Sequence, residues 1–159
     1  MALFLSTFVN KVDRKGRVSV PATFRAALSG QSFNGIVCFP SFKHPAIEGM
    51  GYDRIEEMTA RLDTLDQFSD DFDALSALLG DTQQLPFDGE GRIILPADLA
   101  SHAGITDSAA FVGLGRTFQV WEPEALRRHQ IEMRERARRQ GMTLPARAPA
   151  APAPAGAPR

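Results

Sequence analysis

The sequence predicts an α+β fold that consists of two tandem copies of one unit, each a strand, a tight turn, a second strand and a helix. Three observations predict it. Residues 13–25 return in similar form 75 positions later, as residues 88–100. After each turn the side chains alternate between apolar and polar, which is typical of a strand with one buried face. Between the copies, apolar residues recur every three or four positions, which favours helices.

The repeated segment has the pattern D-x-x-G-R, then aliphatic residues at alternate positions, then Pro-Ala. Asp, Gly, Arg, Pro and Ala coincide at five of its thirteen positions. Self-similarity at a fixed distance indicates duplicated structural units. We therefore predict a first repeat in residues 1–51 and a second in residues 81–122.

Each repeat is predicted to contain a hairpin turn at its D-x-x-G motif. An Asp carboxylate accepts hydrogen bonds from turn amides, and Gly adopts positive φ without strain. Asp13 and Gly16 are therefore expected to structure the first turn, and Asp88 and Gly91 the second. The first turn lies between the β-prone stretches 7–12 and 17–20, which predicts two flanking strands.

The strand that follows each turn is predicted to bury alternate side chains. Val18 and Val20 form the inward face in the first repeat, and Ile93 and Leu95 form it in the second. Short helices are predicted next, at 22–28 and 97–103. A proline stands at the start of each, where it suits the first helical position, and a glycine lies near the end of each.

Residues 52–80 predict an acidic helical segment between the repeats, with a break near 67–70 where the apolar spacing slips. Ser69 is the predicted N-cap of the second of these helices. A C-terminal helix is predicted over 123–140, with Arg concentrated at its far end. Residues 141–159 contain five Pro and seven Ala, which predicts a disordered, partly polyproline-like tail. An inert tail is the favoured interpretation, and a tether or a partner ligand is the alternative.

The charge distribution is uneven although the net charge is only −1. Residues 1–44 carry a net charge of +5, residues 45–91 carry −10, and residues 92–159 carry +4. A local basic patch attracts a polyanion whatever the total charge is. The near-neutral total therefore does not exclude nucleic acid as a partner.

Catalytic, metal and membrane functions find no support in the residues. The three histidines have no metal-ligand spacing, and no nucleophile or phosphate-loop motif occurs. Cys38 lies in an apolar run and is predicted to be a buried thiol. With one cysteine, no apolar run of 18 residues and no leader, we expect a cytoplasmic protein that is not an enzyme. We expect no catalytic residue, metal site, cofactor, small-molecule substrate or membrane contact.

The first turn is the strongest candidate for DNA binding. Arg14, Lys15 and Arg17 are concentrated at and just after it. A two-stranded ribbon fits the major groove of DNA, where Arg binds guanine through two parallel hydrogen bonds. Arg92 holds the equivalent position in the second repeat, where Glu90 adds an acid. The alternative is that Arg17 and Arg92 bind the turn Asp of their own repeat, and both roles are compatible.

The residues from Phe8 to Arg25, together with the later Asp88-Gly-Glu-Gly-Arg92, resemble the MraZ family of bacterial transcription regulators. These are relatives of the AbrB-type swapped-hairpin proteins, and the resemblance covers roughly residues 3–140. It implies a double-psi or swapped-hairpin, AbrB-like β-barrel made from two intrachain repeats with flanking helices. By position, Asp13 and Arg17 end the first family motif, and Asp88 and Arg92 end the second.

The resemblance also implies a nucleoid-associated repressor that binds double-stranded DNA. Its target would be short direct repeats in the promoter of the division and cell-wall gene cluster. The protein would act as a homo-oligomeric ring, most often an octamer. Two alternatives stay open: a protein-interaction scaffold whose acidic helices bind a partner, and an antitoxin-like AbrB relative that binds both DNA and a toxin.

Overall fold

The structure is a computed structural model that describes residues 2–143. The described part contains eight strands and five helices. In chain order these are β1 (Thr7–Lys11), β2 (Arg17–Ser19), α1 (Ala22–Ala27), β3 (Gly35–Pro40), β4 (Ile47–Met50), α2 (Tyr52–Leu62), α3 (Asp70–Gly80), β5 (Gln83–Pro86), β6 (Arg92–Ile94), α4 (Ala97–Ala103), β7 (Ser108–Gly113), β8 (Phe118–Trp121) and α5 (Pro123–Gln140). The chain is thus a mixed α+β protein, as the sequence predicts. Most of the tail predicted at 141–159 lies outside the described residues.

The order strand, strand, helix, strand, strand, helix occurs twice along the chain, with α3 inserted between the two series. One compact unit covers Met1–Arg127, and a second begins at Arg128, within α5. Every residue of the candidate site lies in the first unit.

The strands form two antiparallel sheets. The larger sheet has the order β1-β7-β8-β4-β3-β5, and the smaller one pairs β2 with β6. The larger sheet is open, with β1 and β5 at its edges. Exchanging β1–β4 for β5–β8 leaves the set of strand pairs unchanged, because β1 pairs with β7 just as β5 pairs with β3. The pairs β4–β8 and β2–β6 each join the two halves of the chain.

The first turn does not join a local two-stranded hairpin, in contrast to the sequence prediction. Between the strands that flank it, one isolated bridge joins Val12 to Val18. β2 instead pairs with β6, so that Arg17 lies opposite Ile94 and Ser19 lies opposite Arg92. A strand of three residues has the same alternating pattern whichever strand it pairs with, so local sequence does not select the partner.

The helices follow the sequence predictions closely. Residues 52–80 form two helices with a break between them, and the Ser69 hydroxyl accepts a hydrogen bond from the amide of Phe72 at the start of α3. Gly104 ends α4 in a left-handed conformation with φ of 67°. Pro21 and Pro96 are N-cap residues, one position earlier than predicted.

The main core lies between the two sheets and helices α1 and α4. All four residues predicted to face inward after the turns, Val18, Val20, Ile93 and Leu95, are buried in it. Phe24 is fully buried and packs against the rings of Phe4 and Phe118, at centroid distances of 5.2 and 5.3 Å. Cys38 is buried as predicted, and burial raises the pKa of its thiol to about 12.

Candidate nucleic-acid interface

The Asp13 carboxylate closes the first turn from inside. Its Oδ1 accepts hydrogen bonds from the amides of Lys15, at 2.9 Å, and Arg17, at 2.8 Å. Its Oδ2 accepts from Nε of Arg17 at 2.6 Å. The amide of Gly16 donates to the Asp13 carbonyl, and the amide of Asp13 donates to the Arg17 carbonyl. This one carboxylate therefore fixes both the turn and the direction of the Arg17 side chain.

The second turn repeats this arrangement atom for atom. Oδ1 of Asp88 accepts from the amides of Glu90 and Arg92, both at 2.9 Å, and Oδ2 accepts from Nε of Arg92 at 2.8 Å. The Glu90 carboxylate lies 3.6 Å from Nη1 of Arg92. The Asp–Arg contact that the sequence leaves open as an alternative to DNA binding is thus present in both turns.

These hydrogen bonds favour the charged carboxylates. The amide of Arg17 lowers the pKa of Asp13 below its ordinary value, and the Arg17 side chain and the Lys15 amide lower it further. The pKa of Asp88 is lowered in the same way, first by the Arg92 amide and then by the Glu90 amide and the Arg92 side chain. The hydrogen bond to Asp88 raises the pKa of Arg92 in turn.

The two turns are joined to each other through their glycines. Gly16 and Gly91 have φ of 81° and 75°, a region that favours glycine. The Gly16 carbonyl accepts from the amide of Leu95 at 2.8 Å, and the Gly91 carbonyl accepts from the amide of Val20 at 3.2 Å. Each turn is thereby held against the strand end of the other repeat, and both lie beside the β2–β6 pair.

The outer face of the β2–β6 pair carries Arg17, Ser19, Arg92 and Ile94. Their neighbours Val18 and Ile93 point into the core, so strand alternation directs these four side chains outward. Ile94 is 63% exposed, and Nε of each arginine donates to the Asp of its own turn. Nη1 of Arg92 also lies 3.6 Å from the Glu90 carboxylate. The face therefore presents two half-buried guanidinium groups, each held at Nε by the carboxylate of its turn.

The cations at the two turns differ. Arg14 and Lys15 are exposed on the first turn, and neither has an ion pair among the residues that the structure describes. Gly89 and Glu90 take their places in the second turn. The first turn therefore presents a more positive surface than the second.

Arg25, which no sequence motif marks as a site residue, lies against the second turn. Its Nε donates to the carbonyl of Val20 at 3.1 Å. A Cβ atom at Gly91 would lie 2.6 Å from Nη1 of Arg25, so the guanidinium covers this glycine. The two residues are far apart in the sequence, and local pattern gives no sign of their contact.

The structure places all eight sequence-predicted site residues at the two turns or on the adjoining β2–β6 pair. These are Asp13, Arg14, Lys15, Gly16, Arg17, Asp88, Gly91 and Arg92. Within residues 2–143, no group of three or more His, Cys, Asp or Glu side chains is placed to hold a metal ion. None of the helices in that range has the length and apolar character needed to cross a membrane.

Comparison with known proteins identifies the family. Residues 78–143 match the family model described as "MraZ protein, putative antitoxin-like". A Pelagibacter ubique protein named "Transcriptional regulator MraZ" is 47% identical over 136 residues, which cover 85% of this chain and 88% of the relative. Proteins of the same name from Rickettsia akari and Rickettsia bellii are each 43% identical, over 91% of this chain and 97% of their own length. With this identity over nearly the whole length of both partners, the chain belongs to the MraZ family.

Proposed function

We propose that this protein is a transcriptional regulator that binds double-stranded DNA in a sequence-specific way through its two turns and the outer face of β2–β6. The observation that carries the proposal is the group of cations at the first turn, the exposed Arg14 and Lys15 and the half-buried Arg17, on a self-bonded loop. The relatives named as transcriptional regulators support the same function.

The geometry supports separate roles for the cations. Nε of Arg17 is bound to Asp13, and its two terminal nitrogens have no hydrogen-bond partner among the described residues. An arginine held in this way offers a preset fork to guanine O6 and N7, which makes Arg17 a base-contacting residue. Arg14 and Lys15, at the tip of the turn, contact the flanking phosphates. Arg92 contacts DNA as well, but beside a less positive turn and with its Nη1 3.6 Å from the Glu90 carboxylate.

We further propose that the fold is the AbrB-like barrel, with the two repeats taking the parts of two subunits. Two observations support this interpretation. The set of strand pairs is the same when the two halves of the chain are exchanged, and the hydrogen bonds at Gly16 and Gly91 are reciprocal. The DNA target is a set of short direct repeats ahead of the division and cell-wall gene cluster. The protein represses that cluster, and it is therefore found in the cytoplasm at the nucleoid.

The proposed active form is a homo-oligomeric ring, most often an octamer. One turn that neutralises two or three phosphates binds weakly at physiological salt. Several identical turns that face successive DNA repeats gain affinity because each bound turn raises the effective concentration of the next. Weak single sites on a multivalent ring account for repeats in the target.

The direct test compares Arg17→Ala with Lys43→Ala on DNA from the protein's own upstream region, by gel shift and fluorescence anisotropy. Both variants remove one positive charge, but Lys43 lies outside the turns. We expect binding by Arg17→Ala to fall at least tenfold, because a bidentate base contact is worth about 1–3 kcal/mol in each subunit. Binding by Lys43→Ala should stay within twofold of wild type.

Circular dichroism and the oligomer mass serve as controls for folding. Wild-type affinity in Arg17→Ala would show that Arg17 does not contact DNA. Loss of binding together with a changed oligomer mass would assign Arg17 to assembly rather than to recognition.

A second candidate is an antitoxin-like protein that binds a protein partner as well as DNA. The description of the matching family as antitoxin-like favours this function, and α2 and α3 offer an acidic, exposed surface for a basic partner. A small basic protein encoded next to this chain, which copurifies with it and whose toxicity the chain relieves, would establish this function. Cell-wall genes downstream, with expression that rises on deletion of this gene, would establish repression.

A further inference from the structure

We propose that Arg25 binds a DNA phosphate and supplies the second turn with the cation that its own loop lacks. The inference rests on the proposed DNA-binding function, which it extends by one residue and by a contact outside both D-x-x-G-R motifs. It follows from the difference between two turns that are otherwise alike.

The second turn needs an external cation to approach DNA. Its backbone and its Asp88–Arg92 contacts reproduce those of the first turn, so it has the same shape. Its tip carries Gly89 and Glu90, however, where the first turn has Arg14 and Lys15. A phosphate that approached this tip would therefore meet a net negative charge from Asp88, Glu90 and Arg92.

Arg25 delivers a cation to this turn from α1, in the other half of the chain. The contact runs through Val20, whose amide donates to the Gly91 carbonyl and whose carbonyl accepts from Nε of Arg25. Gly91 leaves room for the guanidinium to lie directly on the turn backbone. The side chain is thus fixed at one nitrogen, while its terminal nitrogens stay available for a ligand.

The equivalent position beside the first turn holds no cation. Ala100 lies 75 residues after Arg25 and lines the surface next to Asp13–Gly16, and its methyl group carries no charge. The first turn carries its two cations itself, so it needs none from α4. Positive charge is therefore present at both turns, although it comes from different parts of the chain.

Neutralisation of the nearby acids does not account for Arg25. Within residues 2–143 its guanidinium makes no ion pair, and Asp88 and Glu90 both bind Arg92 instead. Arg25 is exposed, and its fork of donors matches phosphate oxygens. A phosphate group of the DNA backbone therefore has the right chemistry for this site.

The test measures affinity for the upstream DNA as a function of salt for Arg25→Gln, Arg25→Lys and the control Lys43→Gln. Removing one phosphate contact should reduce the slope of log K against log salt by about 0.9 for each DNA-bound subunit. We expect this reduction in Arg25→Gln, with equal weakening on specific and unrelated DNA and an unchanged melting temperature. Arg25→Lys should keep most of the wild-type slope, because it keeps the charge. Lys43→Gln should keep all of it.

Two results would overturn the inference. One is a wild-type salt slope in Arg25→Gln. The other is a slope that falls equally in Arg25→Gln and Arg25→Lys with a lower melting temperature, which would show that Arg25 supports the structure of the second turn.

Arg17→Ala distinguishes failure of the Arg25 proposal from failure of the proposed DNA-binding function. If Arg17→Ala binds DNA normally, DNA binding by the turns is itself wrong. If it loses binding while Arg25→Gln keeps its slope, only the role of Arg25 is wrong.

Discussion

At the scale of single residues, Asp13 and Asp88 make the stability of the turns depend on pH. Both have a lowered pKa in the folded protein, so each stabilises the fold above its unfolded pKa, near 3.8. This stabilisation is lost as the pH falls through the still lower folded pKa. The contribution of the two carboxylates to the stability of the fold is therefore constant around neutral pH.

We expect the doubly substituted Asp13→Asn, Asp88→Asn protein to be less stable than wild type at pH 7. The difference should shrink steadily between about pH 5 and pH 2, because the wild-type carboxylates become protonated over that range. Thermal melts at several pH values measure it. A difference in melting temperature that stays constant down to pH 2 would contradict the role of these carboxylates.

The turn glycines provide a second prediction at this scale. Gly16→Ala and Gly91→Ala each force a side chain into positive φ, which costs about 1–2 kcal/mol of unfolding free energy. Gly91→Ala should also displace the Arg25 guanidinium and reduce the salt slope of DNA binding, as we expect for Arg25→Gln. Gly89→Ala is the matched control, since a Cβ there meets no atom within 4 Å and the backbone is not in the positive-φ region. Chemical denaturation should show little change for it.

The turns were predictable from the sequence because their chemistry is local. Asp, Gly and Arg lie within five residues of each other, and their types determine which atoms bond. Arg25 was missed because its contact with Gly91 depends on the pairing of β2 with β6, and no local pattern reports it. Whether Arg14, Lys15, Arg17 and Arg92 bind DNA stays a prediction.

At the scale of elements, α3 has a well-defined start. Ser69 caps it, and Asp70, Asp71 and Asp73 lie in its first turn, where the helix dipole favours negative charge. Ser69→Ala should lower the unfolding free energy by about 1 kcal/mol. Urea denaturation measures this, with Ser76→Ala in the body of the same helix as a control that changes little. An equal effect of both substitutions would show that the cap is not the cause.

Helices were easier to predict than strands. The spacing of Ile55, Met58 and Leu62 shows a helical face within one segment, and the structure confirms it. The sequence predicts neither β4 nor β8, because each has only four residues, which are too few to show alternation. They are strands because they pair with each other and with β3 and β7, which local sequence does not encode.

At the scale of the whole molecule, the two edges of the large sheet differ. β5 ends in Pro86 and contains two glutamines, which discourage pairing with another chain. At the β1 edge the apolar side chains Leu5 and Val9 are 60% and 57% exposed. An exposed apolar edge strand favours contact with a second copy, in line with the proposed oligomer.

Val9→Lys should therefore reduce the mass of the oligomer and weaken DNA binding, while leaving the core intact. Light scattering coupled to size exclusion measures the mass. Phe68→Lys is the control, because Phe68 is 85% exposed and belongs to the connection between α2 and α3, not to an edge strand. An unchanged mass in Val9→Lys would place the interface elsewhere.

The pairing of strands across the two halves of the chain has a consequence for biosynthesis. β1 is made first, yet its partner β7 begins only at Ser108, and β4 waits for β8. Contacts this distant in sequence form slowly and only after the intervening chain has been made. A nascent chain that stops before Ser108 therefore leaves β1 without its partner and β4 with only one of its two partners. Strands exposed in this way are recognised by chaperones and proteases. Production of this protein thus depends strongly on complete translation. The dependence is weaker for a protein whose two halves fold one after the other.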